Sequence, residues 1–414
     1  MKMNALTHPT FWQCAIARMV IVPAVVATTL SVIGFLIQGS LYADSPSTPV
    51  PKTEVHHLDP ETQSLIDREV TTAIENKLLP GAVVAIGYQG HVVFHRAYGN
   101  RQLLPSVETM TLDTVFDLAS LTKPIVTACC VMKLVEEGKL SLDDPVASHL
   151  PEFVANGKES VRVKQLLLHT AGLIPDNSMK DYAEGRDIAI QKVMQLTFNY
   201  QPNERFRYSD VGFIVLGELV ERLTGKSLSE YATESFFGPL EMHETCFRPS
   251  PSLQVRTATT EQRAGHWIKG DVHDPRCFAM GGIAGHAGLF STASDIAIFS
   301  QALLNGGELN GQRVLDSETV KTMTDAYQVP GGVRGLGWDK RSAYSTNRGE
   351  SMTPSAFGHG GFTGTGLWID PELHLFVVFL SNRVHPDGKG SVNALIGRIG
   401  TIAADMAIAA KQAK

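Results

Sequence analysis

The run PIVTACCVMKLVEEG, Pro124 to Gly138, is apolar on almost every face until Lys133. A surface helix needs one apolar stripe, whereas a helix apolar all round belongs inside a domain, so this chain must build structure on every side of it. Gly138 supplies the stop as a C-cap. Just ahead stands DLASLTKP, which places Ser120 and Lys123 at the N-terminal mouth of the run. Residues three apart share a helix face, and Pro124 is tolerable there only in the first turn. A hydroxyl paired with an amine at the mouth of a buried helix is a candidate nucleophile and base. Ser-x-x-Lys alone is weak evidence, expected about once or twice by chance in a chain this long. Its partners elsewhere must decide its meaning.

The chain is long enough to bury such a helix. Its 414 residues, 43% hydrophobic and 19% charged, allow one large domain or two. Net charge is −6 and no Lys/Arg cluster stands out, which argues against nucleic acid as a partner. At the N-terminus, Lys2 and Arg18 flank a polar leader, and Met19 to Ile37 is uncharged and almost wholly apolar. Residues 1–43 therefore read as an export signal with a long apolar core or as an uncleaved membrane anchor, placing the protein outside the cytoplasm, in the periplasm or cell envelope. The proline-rich residues 44–58 read as a linker, and 59–414 as the folded domain. Beyond the leader, Cys129 and Cys130 fall in the buried run as packing groups. Cys246 and Cys277 have the compartment for a disulfide, but no spacing that supports one.

From Asp59, DPETQSLIDREVTTAIENKLLPG reads as an amphipathic helix ended by Pro80-Gly81. AVVAIGYQ and HVVFHRAYG follow as strands of a hairpin around Gly90. The middle, roughly 125–285, is largely helical. Near the end GLWIDP and LHLFVVFLSN are strands broken at Asp370-Pro371, and SVNALIGRIGTIAADMAIAAKQ closes the chain as a helix. Strands at both ends with helices between imply one sheet assembled from distant segments, with a helical subdomain inserted.

A serine nucleophile needs a base and an oxyanion site. Lys123 can be that base if burial or a neighbouring cation depresses its pKa. RYSD offers Tyr208, whose phenolate an adjacent ammonium would favour; Tyr98 is a rival, but lies in a strand ahead of the serine. In GHGGFTGTGLWIDP, His359, Gly360 and Gly361 lead into a strand, where glycines let a substrate approach the backbone. The amides of Ser120 and Phe362 are candidate oxyanion donors, the former at a helix N-terminus.

In this order the motifs resemble the serine β-lactamase and penicillin-binding-protein superfamily. The similarity is nearest to its class C-like branch of esterases, D-amino-acid peptidases and penicillin-binding protein 4B, and covers roughly residues 60–400. LLLHTAGL, RFRYSDVGFIVLGELVERLTG, FGPLEMHETCF and GHAGLFSTASDIAIFSQALLNGG resemble that branch's recurring segments. The resemblance implies Ser120 as acylated nucleophile, Lys123 and Tyr208 as bases, and His359 in the third motif; it also implies an α/β sandwich with an inserted helical subdomain, its antiparallel sheet formed by both ends of the chain. Two departures stand out. Asp210 replaces an asparagine that would contact a substrate amide. His359 replaces the lysine that meets a substrate carboxylate, so its charge is expected to vary with pH around 6.5 and to favour carboxylate substrates as pH falls. Both weaken the case for penicillin hydrolysis and leave amidase, peptidase or esterase chemistry intact.

HWIKGDVHDPRCFAMGGIAGHAGLF carries His266, Asp271, His273, Asp274, Cys277 and His286, potential zinc donors without a recognised zinc spacing. The preferred reading is a substrate-contacting loop presenting His273 and His286, with no metal and no cofactor. A similar stretch occurs in penicillin-binding protein 4B-like and muropeptide-amidase-like members, making a cell-wall peptide the expected substrate. A small-ester hydrolase and a non-catalytic penicillin-binding module are the alternatives. His169 in LLLHTAGL reads as a helix-end packing and capping residue.

Overall fold

The computed structural model describes residues 58–413; the leader and nearly all of the linker lie outside them. The spatial order of the central sheet is Tyr327–Val329, Gly332–Arg334, Asp339–Arg341, Phe357–Gly361, Thr365–Asp370, Leu375–Ser381, Gly81–Tyr88, His91–Gln102 and Glu108–Thr109. Every pairing is antiparallel, and the first long strand joins the last, with Ala82 opposite Ser381 and Tyr88 opposite Leu375. The hairpin turn at Gln89-Gly90 has φ of 52° and 83°, the doubly left-handed turn that matches strand twist.

AVVAI is apolar at every position because both sheet faces are covered. Side chains alternate across a strand. Ala82, Val84 and Ile86 therefore meet Ile66 and Val70 of the helix Pro60–Glu75 and Ile399 and Ala403 of the helix Asn393–Gln412. Val83 and Ala85 face the opposite core with Ile296 and Phe299 of the helix Ala293–Leu304. Asp59 caps the first helix by accepting from the Thr62 amide at 2.9 Å. Among the described residues no helix is long and apolar enough to cross a membrane.

Between the sheet's two ends lie the helices Val163–Leu167, Arg186–Met194, Asp210–Thr224 and Leu228–Ala232, together with short strands. Phe116–Asp117, Leu289–Ser291 and Cys246–Phe247 form a three-stranded ladder that ties this region to the serine segment. The expected helix from Ser120 departs from plan. A single 3₁₀ turn holds Ala119–Leu121, wide i→i+5 turns hold Lys123–Ala128, and regular α-helix begins only at Cys129 and runs to Glu136. Wide turns suit a segment in which Pro124 supplies no N–H donor. Cys246 and Cys277 are both free thiols.

Candidate active site

Ser120 sits on a tight turn. The preceding Ala119 has φ of 46°, a left-handed conformation costly for a residue with a Cβ. It is held by the Asp117 carboxylate, which accepts from the Ala119 amide at 2.8 Å and the His273 amide at 2.6 Å, and by Thr122 Oγ1, which donates to the Ala119 carbonyl at 2.7 Å. Lys123 follows one turn later, fully buried, and each of its three donors has a destination. They are Ser120 Oγ at 3.0 Å, the His286 carbonyl at 2.9 Å and Asp210 Oδ1 at 2.6 Å. An ammonium has three N–H groups and no acceptor, so this shell fits the charged form.

That shell corrects one expectation. The Lys123 pKa is raised rather than depressed: burial alone would lower it, but the negative charge of Asp210 outweighs burial. Asp210 is therefore the lysine's ion-pair partner, and it also lines the cleft beside Ser120. It occupies the first turn of the helix Asp210–Thr224, capped by Ser209, where a carboxylate also suits the helix dipole.

Tyr208 precedes that cap. Its ring lies 4.9 Å from Lys123 Nζ and 4.5 Å from the His169 ring, and its hydroxyl has no hydrogen-bond partner among the described residues. Burial raises its pKa more than Lys123 lowers it, so the resting group is a phenol. His169 does more than close a helix. With φ of 57° it turns its Nδ1 to accept from the Ser209 amide at 3.1 Å and buttresses Tyr208 from below. Tyr98 is remote from this cluster, donating to Asp67 at 2.6 Å.

His359 lies 5.8 Å from the Tyr208 ring, with Nδ1 2.7 Å from the Gly360 carbonyl. Burial, with Arg334 and Lys123 adding to it, lowers its pKa to about 3. The expected charge change near pH 6.5 does not survive, because this imidazole stays neutral far below that value. The glycines beside it serve the protein's own packing. A Cβ at Gly361 would lie 2.5 Å from the Leu118 carbonyl and one at Gly360 2.6 Å from Asn347 Nδ2. The strand is thereby pressed onto the Ser120 turn. Phe362 follows with its ring exposed and its carbonyl accepting from Arg383 at 2.5 Å.

Sequence reasoning missed Arg334. It lies at the end of the strand Gly332–Arg334, fully buried, and lines the cavity with Ser120, Tyr208 and His359. It pairs with Asp339 Oδ1 at 3.2 Å, yet none of its three side-chain nitrogens makes a hydrogen bond among the described residues. No motif flags such an arginine; only its burial does. Tyr344, stacked on Tyr208 at 5.0 Å, was missed likewise.

Of the six potential zinc donors, Asp274 and His286 converge, His286 Nε2 lying 2.9 Å from Asp274 Oδ1. With Asp210 they form a three-donor group beside the Lys123 ammonium. His273 instead meets Glu261 at 2.6 Å and stacks on Phe362 at 5.5 Å. His266 lies in a hairpin, Asp271 lines a different cavity, and the Cys277 thiol donates to the Ala287 carbonyl at 3.2 Å. Gly285 brings the loop in, since a Cβ there would lie 2.0 Å from the Phe213 carbonyl; this close approach delivers the His286 carbonyl to Lys123.

Residues 66–400 match the Beta-lactamase family model. An N-acetylmuramyl-L-alanine amidase of Bacillus subtilis is 31% identical over 362 residues, covering 78% of this chain and 81% of the relative. A putative D-alanyl-D-alanine carboxypeptidase of Escherichia coli O157:H7 is 32% identical over 345 residues, covering 74% and 79%. A solved penicillin-binding protein homologue from Caulobacter crescentus shares the fold with a TM-score of 0.68 at 23% identity, over 85% of this chain and 98% of that one. A cleft serine paired with a buried lysine in Ser-x-x-Lys, beside an antiparallel sheet and matched along most of the chain, leads to one conclusion: the protein belongs to the Beta-lactamase family and is a serine hydrolase of that fold.

Proposed function

We propose that the protein is exported and hydrolyses an amide bond in peptidoglycan peptides or muropeptides through an acyl-enzyme on Ser120, taking substrates that carry a free carboxylate. The observation that carries the substrate class is Arg334. A buried guanidinium without hydrogen bonds is costly unless a partner arrives, and a carboxylate matches its planar fork. The names of the two relatives support a cell-wall peptide, and the apolar leader supports an envelope location, cleaved or anchored.

Ser120 Oγ attacks the carbonyl carbon, and the backbone N–H groups of Ser120 and Phe362 receive the oxyanion. The serine proton needs a basic acceptor, but Lys123 and Tyr208 are both protonated at rest. One proton must therefore leave this coupled pair before attack, which gives the rate an ascending limb with pH. The proton then passes to the leaving nitrogen, and water releases the acyl group by the reverse relay.

Intact-mass spectrometry after a fluorophosphonate should show one adduct, absent in Ser120→Ala. A stem peptide ending in D-Ala-D-Ala should be cleaved at least about tenfold better than its C-terminal amide. Turnover of simple esters alone, with neither peptide cleaved, would overturn the peptide reading.

A further inference from the structure

Cleft space continues past Ser120 on the side away from Arg334, in a cavity of about 480 Å³ that Ser120, Tyr208, Tyr344 and Phe362 also line. Four carboxylates line it, Asp176, Asp210, Glu261 and Asp274, and Arg276 is the guanidinium among them. Arg276 is already committed, donating to the Asn177 carbonyl at 3.1 and 2.9 Å and reaching Asp176 only at 3.4 Å. Lys123 is committed to Asp210, and on the cavity wall Glu261 already faces His273 Nε2 at 2.6 Å, which leaves Asp176 as the carboxylate with the weakest protein partner. Negative charge is therefore in excess here, and Asp176, close to half exposed, feels it: burial and then Asp210 push its pKa up.

A second observation is independent of the acids. His286 lines this cavity almost completely buried, and its Nδ1 has no partner among the described residues. Nε2 faces the Asp274 carboxylate, which can only accept, so that nitrogen donates to it while Nδ1 remains without a partner. The carboxylate oxygens that line this half, those of the half-exposed Asp176 among them, accept hydrogen bonds. The rim is aromatic: Phe362 and Tyr344 are both exposed large apolar side chains. Acceptors below and aromatic faces at the mouth suit a cation on a hydrocarbon stem.

We propose that this half of the cleft is a subsite for an alkylammonium group of the substrate, with Asp176 and Glu261 taking the charge and Phe362 and Tyr344 flanking its methylene stem. In a peptide such a group is the side-chain amine of a diamino acid. The proposal rests on Ser120 being the acylated nucleophile, but not on the scissile bond being an amide.

Two nitrophenyl esters test it, one of N-acetyl-lysine and one of the same residue acetylated on its side chain as well. The wild-type enzyme at low ionic strength should prefer the ammonium ester in kcat/KM by roughly five- to tenfold, the scale of a partly exposed charge contact. The preference should shrink with added salt and fall toward unity in Asp176→Asn combined with Glu261→Gln. Equal rates on the two esters in wild type, or a ratio surviving in the double variant, would overturn the subsite. A failure of the nucleophile assignment looks different: ester turnover would persist in Ser120→Ala. No turnover of either ester by the wild-type enzyme would overturn both. The wild-type ratio needs no variant, so a folding defect cannot mask the answer.

Discussion

On one side of Ser120 the cleft wall holds Arg334, a buried cation that among the described residues has a single ion pair and no hydrogen bond; on the other, four carboxylates share two committed cations. Lys123 sits between them and shows what a satisfied buried cation looks like. Both cations are fully buried and each faces one carboxylate, yet Lys123 also donates to Ser120 Oγ and the His286 carbonyl while Arg334 makes no hydrogen bond among the described residues. Stability alone would favour an apolar residue over a buried charge whose hydrogen-bonding groups are unsatisfied. The contrast teaches where to look for function: the chain keeps Lys123 for the serine and leaves Arg334 for something that is not protein.

The largest effect should come from the point both halves share. Ser120→Ala should lower turnover by roughly four to six orders of magnitude. Activity near wild type in the folded variant would remove the centre from the comparison.

The cationic half is tested next. Arg334→Met should reduce the preference for a carboxylate-ended peptide over its amide by about ten- to a hundredfold, as expected when a desolvated charge pair is lost. Melting temperature should fall only modestly, because Asp339 loses its ion pair with Arg334 but keeps the Lys340 amide and the Ser342 and Ser345 hydroxyls at 2.8–2.9 Å. An unchanged preference with a lower melting temperature would recast Arg334 as a structural ion.

Asp210→Asn sharpens the role of the shared lysine. Asp210 raises the Lys123 pKa, so its neutralisation should move the ascending limb of the pH–rate profile to lower pH. Losing a charge-assisted contact should also cost about 1–3 kcal/mol, read by denaturant titration near neutral pH. A limb that stays in place would show that Lys123 is not part of the titrating pair.

His359 and His169 set the acid response. Both pKa values are lowered by burial, that of His359 to about 3, so the unfolded chain binds protons that the native chain refuses. The stability associated with each is present above about pH 6.5 and declines as pH falls below it. By pH 5 the penalty from His359 is about 2 kcal/mol, and His169 acts in the same direction. His359→Asn should flatten part of that decline, read as a smaller difference in melting temperature between pH 7 and pH 5. The smallest expected effect is that of reductant. Cys246 and Cys277 are free, so dithiothreitol should leave the melting temperature unchanged.

Much of this architecture was legible in one dimension. The hairpin around Gly90, the strands flanking Asp370-Pro371 and the terminal helices follow from periodicity and turn chemistry, which act within a few residues. The Ser120–Lys123 pairing followed from helical spacing, and its 3.0 Å contact persists although the turns between are not regular α-helix. The electrostatics were not legible. The Lys123 pKa depends on a carboxylate 87 positions downstream, and the neutrality of His359 on a depth that spacing does not encode. Arg334 carries no motif at all.

Residue types and their local order determined the strands, the terminal helices and the Ser120–Lys123 pairing, and the order of the motifs carried the resemblance to a serine-hydrolase family, because covalent spacing and hydrophobic alternation are local properties. Which groups are charged, which glycines meet backbone and which side of Ser120 is acidic were decided only when distant segments packed together. Burial and pairing set those energies, and both are properties of neighbours in space.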